Sequence, residues 1–332
     1  MSRNTKIGVV IPAFNVQSWI QDVVQAIPEC VDCIVIVDDA STDETTERVT
    51  DIAHTVGRVE VIRHQKNRGV GGATKTGLTY LLEAGCDVLV KLDGDGQMNP
   101  SEIPRMVAPL IDGWADYSKG NRLSSRKHLS RIPVIRLAGS VGLTMLTKLA
   151  SGYWQMVDPQ NGYVAITAGA LQEMDLSRLD EGYFFENSML IELNIIGARC
   201  MDLSMAAVYG EEASGISVLR TVFSFPPKLL RGFLRRLFRR HIVLNFSPIP
   251  VLVTAGAGAV IAGSAWGAYH WWLSAVTTQI ASTGTVMLAV LPVVVGVQML
   301  LQALVLDVEG SRPLAVSETL YRRAESSHAD AN

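Results

Sequence analysis

Val88-Leu89-Val90-Lys91-Leu92-Asp93-Gly94-Asp95-Gly96-Gln97 is an apolar run that ends on a glycine turn carrying two carboxylates one residue apart. A short apolar run bounded by turn residues reads as a buried strand, and the glycines as the chain leaving it. Asp93 and Asp95 on such a turn can converge on one hard divalent cation. Mg²⁺ or Mn²⁺ takes oxygen ligands and bridges protein carboxylates to substrate phosphates. A solvated acidic turn has the same local sequence, so the reading depends on the segments around it.

Those segments alternate. Lys6–Ile11 reads as a strand ending at Pro12, Ser18–Ile27 as a helix, and Cys33–Val37 as a second strand closed by Asp38-Asp39. Ser41-Thr42-Asp43-Glu44 supplies capping and acidic residues for a helix running to about Val56. Val59–Arg63 reads as a third strand, Gly71–Ala84 as a helix, and Asp87–Leu92 as the fourth strand. Strand-helix repeats at this spacing predict an α/β fold with right-handed crossovers and a mostly parallel sheet. Ligands of such sheets bind at the carboxyl ends of the strands. Pro12–Asn15, Asp38-Asp39 and Asp93–Gln97 all fall on that edge. The glycines of Asn67-Arg68-Gly69-Val70-Gly71-Gly72-Ala73 follow the third strand and lack G-x-G-x-x-G spacing, which argues against a dinucleotide fingerprint. They are expected to let a helix N-terminus approach a phosphate or the neighbouring carboxylate turn.

Over 332 residues the net charge is −3, which excludes a nucleic-acid-binding surface over the whole chain. The charge is unevenly distributed. Ile242 to Leu306 contains no Asp, Glu, Lys or Arg, whereas Pro226–His241 holds Lys228, Arg231, Arg235, Arg236, Arg239 and Arg240. A bilayer crossing needs about 20 apolar residues, and Pro250–Leu273 and Gly284–Leu306 both qualify. Basic residues lie before the first span and after the second (Arg312, Arg322, Arg323), so both ends are expected on the cytoplasmic side, at a cell inner membrane or another cytoplasm-facing membrane. Trp266, Tyr269, Trp271 and Trp272 cluster at the outer end of the first span, and Met1–Lys6 is too polar for a signal peptide. Leu229, Leu230, Phe233, Leu234, Leu237 and Phe238 recur every three to four residues among the arginines, a pattern for an amphipathic helix on anionic membrane lipids. Cys30, Cys33, Cys86 and Cys200 show no metal-ligand spacing and read as packing residues in a reduced compartment.

Four motifs, Ile11-Pro12-Ala13-Phe14-Asn15, Val37-Asp38-Asp39-Ala40-Ser41-Thr42-Asp43, Asn67-x-Gly69-x-Gly71 and Asp93-Gly94-Asp95-Gly96-Gln97, stand in the order and spacing of the family 2 glycosyltransferases, which this chain resembles over about residues 5–210. The resemblance implies a GT-A type, nucleotide-diphospho-sugar-binding fold. It places Pro12, Phe14, Asn15, Val37, Asp38 and Asp39 around the nucleoside, Asp93, Gly94 and Asp95 at the metal and diphosphate, and Gln97 beside the metal and donor sugar. A second set resembles the dolichyl- and polyprenyl-phosphate sugar synthases: Asn121-Arg122-Leu123, Ile132-Pro133-x-x-Arg136-x-x-x-Ser140 and Asp158-Pro159-Gln160-Asn161-Gly162-Tyr163. It implies that Arg122, Arg136 and Ser140 bind the acceptor lipid's phosphate, for which a guanidinium fork is well shaped. Two departures stand out. Val16 replaces the Glu usual after the P-x-Y-N element, which favours UDP over GDP. Tyr209–Gly215 also lacks the basic R-x-x-G-x-S-K segment.

The expected reaction displaces a nucleoside diphosphate from the anomeric carbon with inversion. A polyprenyl (undecaprenyl or dolichyl) phosphate acceptor is already anionic and needs no base. A hydroxyl of a lipid-linked saccharide would need one, with Glu186 or Asp158 as candidates. Either residue has a structural alternative, Glu186 as charge at a helix N-terminus and Asp158 as a turn former. A scaffold retaining only the fold is a third possibility. The expected organisation is a catalytic domain over 1–225, a basic amphipathic helix over 226–247, a two-helix hairpin over 248–308 and a cytoplasmic tail over 309–332. The resemblance also makes a homo-oligomer plausible.

Overall fold

In the computed structural model, residues 5–122, 134–205, 218–277, 279–311, 315–316, 318 and 321 are described, those of 134–140, 218–223 and 315–316 by backbone only. The chain forms two units, residues 1–233 with 313–332, and residues 234–312.

The first unit is built on an eight-stranded sheet ordered β3-β2-β1-β4-β6-β5-β7-β8. β1 (Ile7–Ala13), β2 (Cys33–Asp38), β3 (Val59–Arg63) and β4 (Val88–Lys91) are parallel neighbours. Burial on both faces explains their uninterrupted apolar runs. β6 (Val164–Thr167) runs antiparallel between β4 and β5 (Tyr117–Asn121), and β7 (Cys200–Ser204) lies parallel to β5. The chain proceeds outward from β1 to β3 and then returns to place β4 on the other side of β1. That reversal opens a crevice at the carboxyl ends of β1 and β4, where open α/β sheets bind ligands.

Helices cover both faces. α1 (Ile20–Gln25), α2 (Thr45–Thr55) and α4 (Ile103–Ile111) bury Ile20, Val49 and Met106 against Ile11, Ile36 and Val90. α3 (Gly69–Glu83), α6 (Ala168–Glu173) and α7 (Phe185–Ile196) bury Leu78, Leu171 and Met189 on the opposite face with Val10, Val35 and Leu89. α5 (Val134–Ser151) joins them, its Leu143 and Ala150 meeting Phe184, Ile191 and Ile195 together with Phe225 and Leu229 of α8 (Val218–Phe238). α8 begins eight residues before the expected 226 and carries Pro226 and Pro227 inside it.

The segment expected as a tail returns to the sheet. β8 (Ala315–Val316) adds to β7 in parallel, with Cys200 opposite Ala315. Glu318 accepts from Arg105 at 2.6 Å and from the Ser204 backbone at 2.9 Å, and Tyr321 donates to Asp112 at 2.8 Å beside Trp114.

The second unit contains α9 (Ile249–Thr277) and α10 (Thr283–Ser311), each 29 residues and long and apolar enough to cross a membrane. They pack on each other closely at Gly256 and Gly296, where the two backbones meet. Their outer faces stay exposed, Trp271 and Trp272 included, so they are not core helices of this chain. Within this unit Arg236 is buried and forms a two-pronged pair with Asp307, at 2.7 and 3.0 Å, with His241 3.7 Å from the same carboxylate. The geometry ties the end of the basic helix to the last turns of α10.

Candidate active site

The loops after β1 and β2 interlock. Asn15 and Ala40 take left-handed backbone conformations (φ 54° and 61°), rare for residues with a side chain. Asn15 Oδ1 accepts from Thr42 N at 2.9 Å, Ser41 Oγ accepts from Asn15 N at 3.1 Å, and Thr45 Oγ1 accepts from Val16 N at 2.9 Å. Asp38 is fully buried and accepts from Ser41 N at 2.9 Å and Thr46 Oγ1 at 2.6 Å. Asp39 accepts from Arg68 N at 2.9 Å and Gly69 N at 2.7 Å, with His64 Nδ1 at 2.6 Å. A carboxylate offers only acceptors, so these carboxylates shape the crevice wall.

These bonds give several of the expected site residues a structural part. Asn15 and Asp38 brace loops, and Val37 is a core side chain with Pro12 buried beside it in β1. Phe14 is exposed at the crevice mouth. The glycines at 69 and 71 admit a protein backbone: a Cβ on either would collide with the carbonyl of Glu181 or Asp180. Gly72 N donates to Glu181 O at 2.9 Å, which holds that loop in place.

The centre of the site was not visible in the sequence. Lys91, at the end of β4, is 1 % exposed, and its Nζ lies 2.7 Å from Asp93 Oδ1, 3.3 Å from Glu186 Oε1 and 3.3 Å from Gly162 O. Burial pulls the pKa of this ammonium down, but the Asp93 and Glu186 carboxylates outweigh it and hold Lys91 charged, above its ordinary range. Glu186 reaches it from the first turn of α7. Lys91 thus joins three motifs that are far apart in sequence. The signal was a lysine inside an otherwise apolar strand, since buried lysines are almost always paired.

Gly162 closes over this cluster: a Cβ there would lie 2.6 Å from Lys91 Nζ, 3.0 Å from Asp93 Oδ2 and 3.3 Å from Glu186 Oε1. The bare glycine leaves Asp93 Oδ2 open. Asp95 Oδ1 accepts from Gln97 N at 3.0 Å, which folds the turn, and Gly94 lies buried between the two carboxylates. Asp93 and Asp95 present oxygen donors only, which fits Mg²⁺ or Mn²⁺. Among the described residues there is no group of three or more His, Cys, Asp or Glu side chains for a metal, so diphosphate oxygens and water would complete the shell.

Lys119 of β5 stands opposite Val164, as Lys91 does from the other side, so two buried lysines flank one residue of β6. Lys119 donates to the Asp158 carbonyl, so the two together clamp the Asp158–Gly162 loop. Asp158 accepts from Arg122 Nε at 2.9 Å and Nη2 at 3.3 Å. Burial would raise its pKa, but the Lys119 charge and the Arg122 bonds prevail and hold it below the ordinary carboxylate value. A carboxylate so stabilised is a poor proton acceptor, and in this structure Asp158 anchors Arg122. Arg136 and Ser140 lie on α5, but their side chains are outside the described residues, as is the 209–215 stretch.

A pH dependence follows from Asp158. Its lowered folded value means that it stabilises the fold above its ordinary pKa of 3.8, and that this stability is lost as pH falls below that point through the folded value. Thermal unfolding midpoints of wild type and Asp158→Asn are expected to differ at pH 6 and to converge below pH 3.8 as the wild type protonates.

A mostly parallel sheet with a carboxylate turn at its carboxyl edge, braced loops beside it and a buried lysine–carboxylate cluster fits a nucleotide-sugar glycosyltransferase. The model of the glycosyl transferase family 2 matches residues 8–173. The chain is 34 % identical over 179 residues to UDP-N-acetylglucosamine–dolichyl-phosphate N-acetylglucosaminyltransferase of Methanococcus voltae, covering 50 % of this chain and 71 % of that one. It is 29 % identical to undecaprenyl-phosphate mannosyltransferase of Micrococcus luteus, over 56 % of this chain and 75 % of that one. Its fold is similar to glucosyl-3-phosphoglycerate synthase of Mycobacterium tuberculosis, solved with Mn²⁺, UDP-glucose and phosphoglyceric acid (TM-score 0.52, 21 % identity, 70 % of this chain and 79 % of that one). The chain belongs to glycosyl transferase family 2.

Proposed function

We propose that this glycosyltransferase moves a sugar from a nucleotide donor, a UDP-sugar by preference, to polyprenyl phosphate at the cytoplasmic face of a membrane. The carrying observation is that both candidate bases are engaged. Glu186 is paired with Lys91 at 3.3 Å and Asp158 with Arg122 at 2.9 Å. An acceptor that arrives as a phosphate anion needs neither. Relatives named for dolichyl phosphate and undecaprenyl phosphate support this class of acceptor, and the first of them is named for a UDP-sugar.

In this reading Phe14 offers an exposed ring to the base of the nucleotide, and Asp93 and Asp95 would hold Mg²⁺ or Mn²⁺. That ion, when bound, supplies Lewis-acid stabilisation of the departing diphosphate. Asp93 keeps Oδ2 toward that position because Lys91 holds Oδ1. The acceptor phosphate oxygen attacks the anomeric carbon on the face opposite the diphosphate, with no proton to remove. Arg122, half-exposed beside Asp158, meets the acceptor phosphate.

Membrane placement rests on the two long apolar helices and on apolar residues exposed on α5 and α8. α5 exposes Val141, Met145 and Leu149 at i, i+4 and i+8 with Leu146 beside them, and α8 exposes Leu230, Leu234 and Phe238 at the same i, i+4, i+8 spacing. Leu229 and Phe233, expected on the lipid side, pack on the first unit instead. Basic residues flank both ends of the hairpin, whose two ends both join the catalytic unit in the chain, which favours one shared cytoplasmic side.

The test is incubation of the purified protein with a radiolabelled UDP-sugar, Mn²⁺ and undecaprenyl phosphate, which is expected to give a mild-acid-labile, singly charged lipid-sugar. At saturating Mn²⁺, Glu186→Gln is expected to slow this transfer by no more than about tenfold, less than loss of a general base costs. A requirement for a pre-formed lipid-linked sugar, with a thousandfold loss in Glu186→Gln, would instead establish a hydroxyl acceptor.

A further inference from the structure

We infer that Lys91 is a positioning residue that sets the charge of the cation site: its buried ammonium pairs with Asp93 and Glu186 and offsets one of the negative charges that these two and the neighbouring Asp95 bring, which leaves a site matched to a single divalent ion. This inference rests on the function proposed above and names a residue that the family motifs leave unassigned.

The geometry is specific. Lys91 Nζ touches Asp93 Oδ1, Glu186 Oε1 and the Gly162 carbonyl, so each proton of the ammonium has an acceptor. Asp93 is held by one oxygen, and its other oxygen faces the space that Gly162 leaves empty. Asp93, Asp95 and Glu186 contribute three negative charges and Lys91 one positive charge, a net −2 that one Mg²⁺ or Mn²⁺ neutralises. With Lys91 absent these side chains would sum to −3. It would attract a bare cation more strongly and repel a diphosphate and a phosphate acceptor more strongly. A lysine that merely supported the fold would move both affinities together. A lysine that tunes charge moves them in opposite directions.

The experiment uses the full-length protein in detergent, with MnCl₂ alone followed by electron paramagnetic resonance, and UDP binding measured in the presence of Mn²⁺. Lys91→Met keeps the length of the side chain in an apolar strand. It is expected to bind Mn²⁺ alone about tenfold more tightly, by the added unit of charge, and UDP with Mn²⁺ about tenfold more weakly. Lys91→Met/Glu186→Gln restores a net −2 and is expected to return Mn²⁺ affinity to within about threefold of wild type. If the single variant does not fold, the double variant compared with Glu186→Gln alone must still bind Mn²⁺ about tenfold more tightly. Mn²⁺ affinity that is unchanged or weaker in these comparisons overturns the role given to Lys91 while leaving the proposed transferase standing. Wild-type protein that binds neither Mn²⁺ nor UDP removes the proposed function, and the role of Lys91 falls with it.

Discussion

Asp95→Asn is expected to reduce sugar transfer by about three to four orders of magnitude while leaving the melting temperature of the free protein unchanged. The substitution is nearly isosteric, and the amide oxygen can still accept the bond from Gln97 N that folds the turn at 3.0 Å. What disappears is one of two anionic ligands for the cation that offsets charge on the departing diphosphate. A thousandfold loss corresponds to about 4 kcal/mol of the activation barrier, the size seen when preorganised charge is removed from a reaction centre. Two measurements check it: single-turnover transfer from a radiolabelled UDP-sugar, and the rise in melting temperature that UDP with Mn²⁺ produces by mass action. The variant should lose both. Undiminished transfer would mean that the Asp93-Gly94-Asp95 turn has no part in chemistry.

Gly162→Ala should be nearly as damaging, by a different route. Its methyl group would sit 2.6 Å from Lys91 Nζ and 3.0 Å from Asp93 Oδ2, closer than carbon tolerates. Lys91 cannot swing away freely, because it is buried and held by three acceptors. Relief must come from Asp93 or from the Asp158–Gly162 loop, and either movement covers or displaces the oxygen left open for the cation. About a hundredfold loss of transfer is expected, with loss of Mn²⁺-dependent UDP binding. Gly57→Ala, where an added Cβ meets nothing within 4 Å, is the control and should transfer at the wild-type rate. Equal rates for Gly162→Ala and the control would show that the loop does not bear on the site.

The sequence made the parallel half of the sheet legible because its signals are local. Apolar runs at Ile7–Ala13, Cys33–Asp38 and Val88–Lys91 each end on residues that turn or cap, and all three strands formed within two residues of the expected bounds. β5 was not legible. Tyr117-Ser118-Lys119-Gly120-Asn121 reads as polar, yet all five residues are buried, because Lys119 reaches the Asp158 carbonyl and Asn161 reaches Gly120 O from 41 positions away. The same distance problem hid the role of Lys91, whose partners lie 71 and 95 residues downstream. Asp38 and Asn15 carry a structural part that was hidden for the opposite reason: a carboxylate and an amide at the rim look available until the backbone N–H groups that they satisfy are known. Asp158 looked like a possible base until its arginine was found. Pairing across long sequence separations decides which charged groups are spent on structure.

β8 comes from beyond the hairpin, so the outermost strand of the sheet is synthesised only after α9 and α10. A ribosome therefore delivers Arg105, Trp114 and the open edge of β7 well before Glu318, Tyr321 and Ala315–Val316 arrive to cover them. Domains generally fold as they emerge, but this one must wait with an unpaired edge, a known invitation to association, until both apolar helices have left the tunnel. Biogenesis is thereby ordered: the sheet is finished last, and only on a chain whose two long apolar helices are already made.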